Sequence, residues 1–248
     1  MEWVGARISA VLIVALLLVL MVWGFIAIAD AVKEGETQRF DNWAVKSLRK
    51  SGDPNEPIGP KWVGEVARDF TGLGGVAVLS LVTLIVAGFL WLHEKYHAMW
   101  LVLGATVGGQ ILSTALKHVF QRPRPQLVAH LSSVYTTSFP SGHSMLSAVV
   151  YLTLGTLLAS LVKERRLKFY FVSVAMVLTG LVGISRVFMG VHYPTDVLAG
   201  WAAGLGWALL CWLASRWLQT RGRMEPGLGE GEGDIQNPKP KLHTKAEI

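Results

Sequence analysis

Six stretches of the chain carry no charged residue: 8 to 29, 70 to 92, 98 to 116, 144 to 162, 169 to 185 and 197 to 215. Most of them approach the ~20 residues that a helix rising 1.5 Å per residue needs to cross a bilayer core of about 30 Å. They read as six transmembrane helices, and the fold class as an all-α polytopic membrane bundle. Composition agrees, with 52% hydrophobic residues, 16% charged residues and a mean hydropathy of +0.42. A soluble domain around a single core is excluded, because the apolar residues form continuous blocks instead of the scattered spacing of half-buried elements. Lys and Arg outnumber Asp and Glu by 23 to 17, yet these charges lie between the blocks and form no stripe that would follow a nucleic-acid backbone.

The first block is followed by Ala29-Asp30-Ala31, a small-residue pattern like a signal cleavage site. Its 22 uncharged residues exceed the ~7 to 15 of a signal h-region, so it reads as a retained span. The connection Lys163-Glu164-Arg165-Arg166-Leu167-Lys168 holds four basic residues and fixes that loop as cytoplasmic. Alternation then puts both termini and the 93 to 97 loop in the cytoplasm, and segments 30 to 69, 117 to 143 and 186 to 196 outside. Arg7 and the basic residues from Arg216 onward agree with this orientation. Segment 30 to 69 opposes it mildly with seven Lys or Arg beside eight Asp or Glu, although long loops are weak topological signals.

Within that segment Phe40, Trp43, Ala44, Ser47 and Leu48 fall at helical spacing, with Lys46, Arg49 and Lys50 on other faces. A short helix lying on the membrane surface and a merely solvated connector both fit. The six spans are expected to make one membrane domain over 1–221, followed by a disordered cytoplasmic tail over 222–248, which is rich in Gly, Pro and mixed charge. Cys211, the only cysteine, lies inside an apolar block and reads as a packing residue.

The chemistry lies at the span ends. Lys117 closes the third apolar run, His143 opens the fourth, Arg186 closes the fifth and Asp196 opens the sixth, so alternation brings all four to the outer face. Arg124, Ser141 and His192 lie between them. An ionised side chain near the bilayer core costs about 2.5 to 3.5 kcal/mol on insertion scales. Snorkelling accounts for one or two such residues, but not for three cations with two histidines and an aspartate. Three converging cations call for an anion, and the planar fork of Arg matches phosphate oxygens. Pro140-Ser141-Gly142-His143 leads into the fourth helix, whose free N–H groups and dipole add an anion site. In His192-Tyr193-Pro194-Thr195-Asp196 the carboxylate lies one helical turn from the imidazole and can orient it, leaving the other ring nitrogen as a nucleophile.

Together Lys117-x6-Arg124-Pro125, Pro140-Ser141-Gly142-His143 and Ser185-Arg186-x5-His192-x3-Asp196 resemble the three-part signature of the type 2 phosphatidic acid phosphatase superfamily. The match runs from Lys117 to Asp196 without a substitution. The resemblance implies that His192 attacks phosphorus and becomes a phosphohistidine, that His143 protonates the leaving oxygen and then assists water, and that Asp196 orients His192. It also implies that Lys117, Arg124, Ser141, Gly142, Ser185 and Arg186 hold the phosphoryl oxygens, with no cofactor and no metal. The hydrophobic chain sets it apart from the family's soluble vanadate-dependent haloperoxidases, and six spans are fewer than expected of its glucose-6-phosphatase branch. The layout is most similar to the bacterial phosphatidylglycerophosphatase B group, which implies a cytoplasmic-membrane enzyme with its active site at the extracytoplasmic face. Lipid substrates of that group include phosphatidic acid, phosphatidylglycerol phosphate and undecaprenyl pyrophosphate, and nothing in the sequence selects among them. A neutral nucleophile working with a protonated acid implies a bell-shaped pH profile.

Three rival readings are weaker. His93-Glu94-Lys95-Tyr96-His97 has the form H-E-x-x-H of a zinc metalloprotease, but it forms nearly the whole connection between two spans and has no third ligand nearby. His143, His192 and Asp196 as metal ligands would put a divalent cation beside Lys117, Arg124 and Arg186, which repel it. A lipid binder or transporter would use the same cationic cradle without hydrolysis, and would not need a carboxylate-oriented histidine facing a second histidine.

Overall fold

In the computed structural model, residues 2–132 and 136–220 are described, and the tail expected over 222–248 lies outside them. Helices form over the apolar blocks and run past their ends. They are α1 (Glu2–Lys33), α2 (Gln38–Ser47), α3 (Lys61–Leu73), α4 (Val76–Leu92), α5 (Tyr96–Phe120), α6 (Gly142–Leu161), α7 (Arg165–Phe188) and α8 (Pro194–Thr220). Among the described residues five helices are long and apolar enough to cross a membrane. The pair α3 and α4, bent by 47°, makes a sixth when the two are counted as one broken span. The uncharged run over 70 to 92 is therefore not one straight helix. Gly74 and Gly75 interrupt it, and Gly75 adopts an extended backbone (φ −70°, ψ 146°) that starts α4 afresh.

The side chains are sorted as lipid demands. Leu16, Leu92 and Val119 are 69%, 74% and 74% exposed on the outside, whereas Ser138, Ser141, Ser144, Ser147 and Asp196 are wholly buried. At the centre α6 packs against α7, α8 and α5; α1 covers α8, α4 lies against α5, and α3 lies against α7. Backbone proximity between α6 and α8 depends on Gly200, where a Cβ would lie 2.7 Å from the Ser141 carbonyl and 3.1 Å from Ser144 Cβ.

Segment 30 to 69 is ordered, not a loose connector. It contains α2 and a two-residue strand β1 (Arg49–Lys50) paired antiparallel with β2 (Asp53–Pro57), a small departure from an all-α chain. The sequence reading placed Phe40, Trp43, Ala44, Ser47 and Leu48 on one face of this helix. In the structure the buried face is that of Asp41 and Val45, while Phe40 and Trp43 are exposed with ring centroids 6.1 Å apart. Arg49, read as lying on another face of that helix, follows its end and is buried, its guanidinium donating to the carbonyls of Phe188 (3.0 Å) and Ala129 (3.3 Å). That pair of bonds ties the hairpin to the end of α7.

The H-E-x-x-H reading is corrected here. Two zinc-binding histidines at this spacing need one continuous helical turn. Instead α4 closes after Leu92 through Lys95 N–H to Leu90 carbonyl (2.8 Å) and Glu94 N–H to Trp91 carbonyl (3.0 Å), with Glu94 at φ 57°. A new helix begins at Tyr96, and the His97 ring nitrogen Nε2 lies 2.7 Å from Ser215 Oγ. No group of three metal-ligating side chains forms among the described residues.

Candidate active site

One end of the bundle gathers the polar span ends around a cavity of about 630 Å³. Lys117, Arg124, Gly142, His143, Arg186 and His192 line it, with Val76 and Leu146 supplying apolar wall. Each is delivered by a local structural event. Helix α5 carries Lys117 in its last turn and stops at Gln121, in the left-handed region (φ 43°) and followed by Pro123 and Pro125. The strand of chain after it returns across the site, with Ser138 N–H donating to the Arg122 carbonyl at 2.8 Å. Lys117 Nζ donates to Thr136 Oγ1 (2.9 Å) and the Thr137 carbonyl (3.2 Å), so the returning chain holds the ammonium in place.

His192 sits on the tight turn between α7 and α8. The turn is a helix-terminating motif: Val191 N–H donates to the Arg186 carbonyl (3.3 Å) and Gly190 N–H to the Val187 carbonyl (2.9 Å). Gly190 has φ 72°, and a Cβ there would meet Arg49 Nη2 at 2.5 Å and Val128 at 2.8 Å, so the turn is built for glycine. Pro194 then starts α8 at a position where its missing N–H costs nothing.

The hydrogen bonds fix the tautomer of the His192 ring. Its Nε2 lies 3.2 Å from Arg124 Nη1, and a guanidinium can only donate, so Nε2 is the acceptor and its lone pair is turned to Arg124, which lines the cavity beside it. The proton is on Nδ1, which faces Asp196 Oδ2 at 3.4 Å. Asp196 is held in turn: Oδ1 accepts from Arg122 Nη1 (2.7 Å), and Oδ2 accepts from the Tyr193 N–H (2.8 Å) and from the Ser138 hydroxyl. Burial lowers the pKa of His192 to about 3, outweighing the opposing pull of Asp196, and Arg124 and Arg186 lower it further. The ring is therefore a neutral base at physiological pH.

The three cations differ in how they are occupied. Arg124 is clamped between the Thr136 carbonyl (Nε, 2.7 Å) and the Val191 carbonyl (Nη1, 2.7 Å). Arg186 is 2% exposed and lines the cavity, with its Nε buried and lacking a hydrogen-bond partner among the described residues. Such a group calls for an anion.

Of the nine residues singled out from sequence, Lys117, Arg124, Gly142, His143, Arg186 and His192 meet at the cavity, and Asp196 stands directly behind His192. Ser141 and Ser185 do not line it. Ser141 caps α6, its hydroxyl lying 3.4 Å from the Ser144 N–H and 2.9 Å from Ser144 Oγ, while its N–H donates to the Asp196 carbonyl (2.9 Å). The Ser185 hydroxyl is turned towards α3, 2.7 Å from Thr71 Oγ1, and donates to the Val182 carbonyl. The sequence reading missed Arg122, Asp41 and Ser138, all of which surround Asp196 or its partners.

The PAP2 superfamily profile matches residues 98–220, which include every one of these nine positions. Phosphatidylglycerophosphatase B of Bacillus subtilis (strain 168) is 34% identical over 190 residues, covering 73% of this chain and 86% of its own length. Lipid A 1-phosphatase of Rhizobium etli is 27% identical over 179 residues, covering 63% of this chain and 71% of its own. In three dimensions the chain is similar to a transmembrane PAP2 type phosphatidylglycerolphosphate phosphatase from Bacillus subtilis. The TM-score is 0.71 at 29% identity, over 82% of this chain and 96% of that one.

Proposed function

The chain belongs to the PAP2 superfamily, and from that footing we propose that it is an integral membrane lipid phosphatase working through a phosphohistidine. The observation that carries this reading is His192, protonated on Nδ1 towards Asp196 and with Nε2 as the acceptor, lining one cavity with His143, Lys117, Arg124 and Arg186. The lone pair attacks phosphorus, and the bond from phosphorus to the leaving oxygen breaks. His143 gives its proton to that oxygen. His143 then takes a proton from water as the water oxygen attacks the phosphohistidine, which frees His192 and releases inorganic phosphate. Lys117, Arg124, Arg186 and the N-terminal N–H groups of α6 bind the equatorial oxygens as charge builds on them. Asp196 stabilises the positive ring of the intermediate.

The substrate is a lipid monophosphate or pyrophosphate of the kind represented by phosphatidic acid, phosphatidylglycerol phosphate and undecaprenyl pyrophosphate. The names of the relatives, a phosphatidylglycerophosphatase and a lipid A phosphatase, support a lipid, as do Val76 and Leu146 in the cavity wall. The four basic residues between α6 and α7 support a cytoplasmic loop there, hence an active site at the outer face of a bacterial cytoplasmic membrane and both termini inside. The test is phosphate release by the detergent-purified protein from those three lipids, with and without EDTA. Release that persists in EDTA, is inhibited by vanadate and is abolished in His192→Ala is expected. Loss of release with EDTA, or full activity of His192→Ala, refutes the mechanism.

A further inference from the structure

Asp196, the carboxylate behind the nucleophile, is one end of a longer buried chain of charges. Arg122 donates from Nη1 to Asp196 Oδ1 and from Nη2 to Asp41 Oδ2, both at 2.7 Å. Asp41 lies on α2, far away in sequence, and also accepts from the Thr195 hydroxyl (2.7 Å), the Thr195 N–H (3.2 Å) and the Thr37 hydroxyl (3.1 Å). Both carboxylates are wholly buried, and the guanidinium is 9% exposed, lying 4.3 Å from the centre of the Tyr193 ring.

Burying three ionised groups is an expensive way to hold helices together, since well-packed apolar side chains often stabilise equally well. The geometry suits another task. The planar fork of Arg122 fixes the rotation of the Asp196 carboxylate, so that Oδ2 is presented to His192 Nδ1. Its second arm matters as much. Arg122 paired with Asp196 alone would make a neutral pair and weaken the field that a positive His192 ring requires. With Asp41 on the other arm the three groups carry a net charge of −1, which the ring balances when it becomes a phosphoimidazolium.

We propose that Asp41 and Arg122 are positioning residues for the nucleophile: through Asp196 they hold the His192 ring in its attacking orientation and supply the negative charge that its phosphorylated form needs. The proposal rests on the phosphohistidine reading above. It makes α2 a working part of the active site and not a connector.

The test is Asp41→Asn, which keeps shape and removes charge, together with Arg122→Lys, whose single ammonium cannot bridge two carboxylates. Purified folded variants are assayed for steady-state phosphate release from phosphatidic acid and for phosphoenzyme formation in a single turnover. Removing one charge-assisted contact to a buried carboxylate is expected to lower kcat about 10- to 100-fold, and to slow phosphoenzyme formation by the same factor, with KM changed less than about threefold. On an Asp196→Asn background, Asp41→Asn is expected to cost less than about twofold, because the two act through one carboxylate. A merely structural role gives the opposite pattern: a lower Tm, kcat within about twofold of wild type, and penalties that multiply on the Asp196→Asn background. Either folded variant with wild-type kcat overturns the proposal, and Arg122→Lys decides the matter if Asp41→Asn does not fold. Failure of the phosphatase reading itself is a separate result, seen as no phosphate release by the wild type.

Discussion

Replacing Asp196 by Asn preserves shape and removes what its surroundings require. The carboxylate accepts from Arg122 at one oxygen, and at the other from the Tyr193 N–H and the Ser138 hydroxyl while facing His192 Nδ1. An amide has only one acceptor end. With its oxygen towards Arg122, its NH2 opposes the Tyr193 N–H and the His192 Nδ1–H, and the ring relieves this only by moving its proton to Nε2, which removes the lone pair from that nitrogen. Turned round, the NH2 meets the Arg122 guanidinium. Either orientation loses about two hydrogen bonds to a charged group, each contributing about 1.5 to 3 kcal/mol. At 1.36 kcal/mol per factor of ten, the loss in rate is about 10² to 10⁴, in line with the ~10⁴ effect of the same exchange in serine protease triads. Steady-state phosphate release with purified Asp196→Asn should therefore show kcat down by that factor at nearly unchanged KM, because the residue does not line the cavity. A folded variant retaining kcat within tenfold of wild type would refute the claim that this carboxylate sets the tautomer of His192.

Four further expectations follow from the same structure. Because burial lowers the pKa of His192 from 6.5 to about 3, the unfolded chain binds a proton between those values that the folded chain does not. Stability should thus fall as pH drops through that window, by up to about 1.4 kcal/mol per pH unit, and this contribution should vanish from thermal melts of His192→Asn. By the same reasoning an acid limb of kcat/KM due to His192 should lie below pH 6.5, and one at or above 6.5 counts against a neutral buried nucleophile. Gly190→Ala places a methyl group against Arg49 and Val128 at positive φ; it should destabilise the protein by about 1 to 3 kcal/mol and lower phosphate release, and a wild-type Tm would contradict the role given to this turn. Glu94→Gln should leave phosphate release unchanged, and a large loss would contradict the placement of this turn away from the active site.

Some of this was legible from residues alone. Charge-free runs of membrane length leave the backbone little choice, so the helices and their approximate ends followed directly, and the split spacing from Lys117 to Asp196 marked six residues that line the cavity and Asp196 behind them, but also Ser141 and Ser185, which do not line it. The break at Gly74 and Gly75 did not show in a run, 70 to 92, that reads as one span, because glycine permits a conformation such as the 47° bend without choosing one. Five residues spelling H-E-x-x-H were misleading for a related reason: a motif has meaning only on its proper backbone, and here a helix ends inside it. Neither Arg122, two residues from Arg124, nor Asp41, next to Phe40, stands out in the sequence, since periodicity finds an apolar face but does not say which face of a polar helix turns inward. Those two side chains acquire meaning only when α2 is laid across the start of α8, bringing together residues 154 positions apart. Sequence determined the membrane spans and the inventory of reacting groups, because hydrophobicity and motif spacing are local properties. Tertiary structure alone decided which nitrogen of His192 carries the lone pair and which distant charges surround Asp196 behind it, because hydrogen bonds and buried charge depend on distances that no local spacing records.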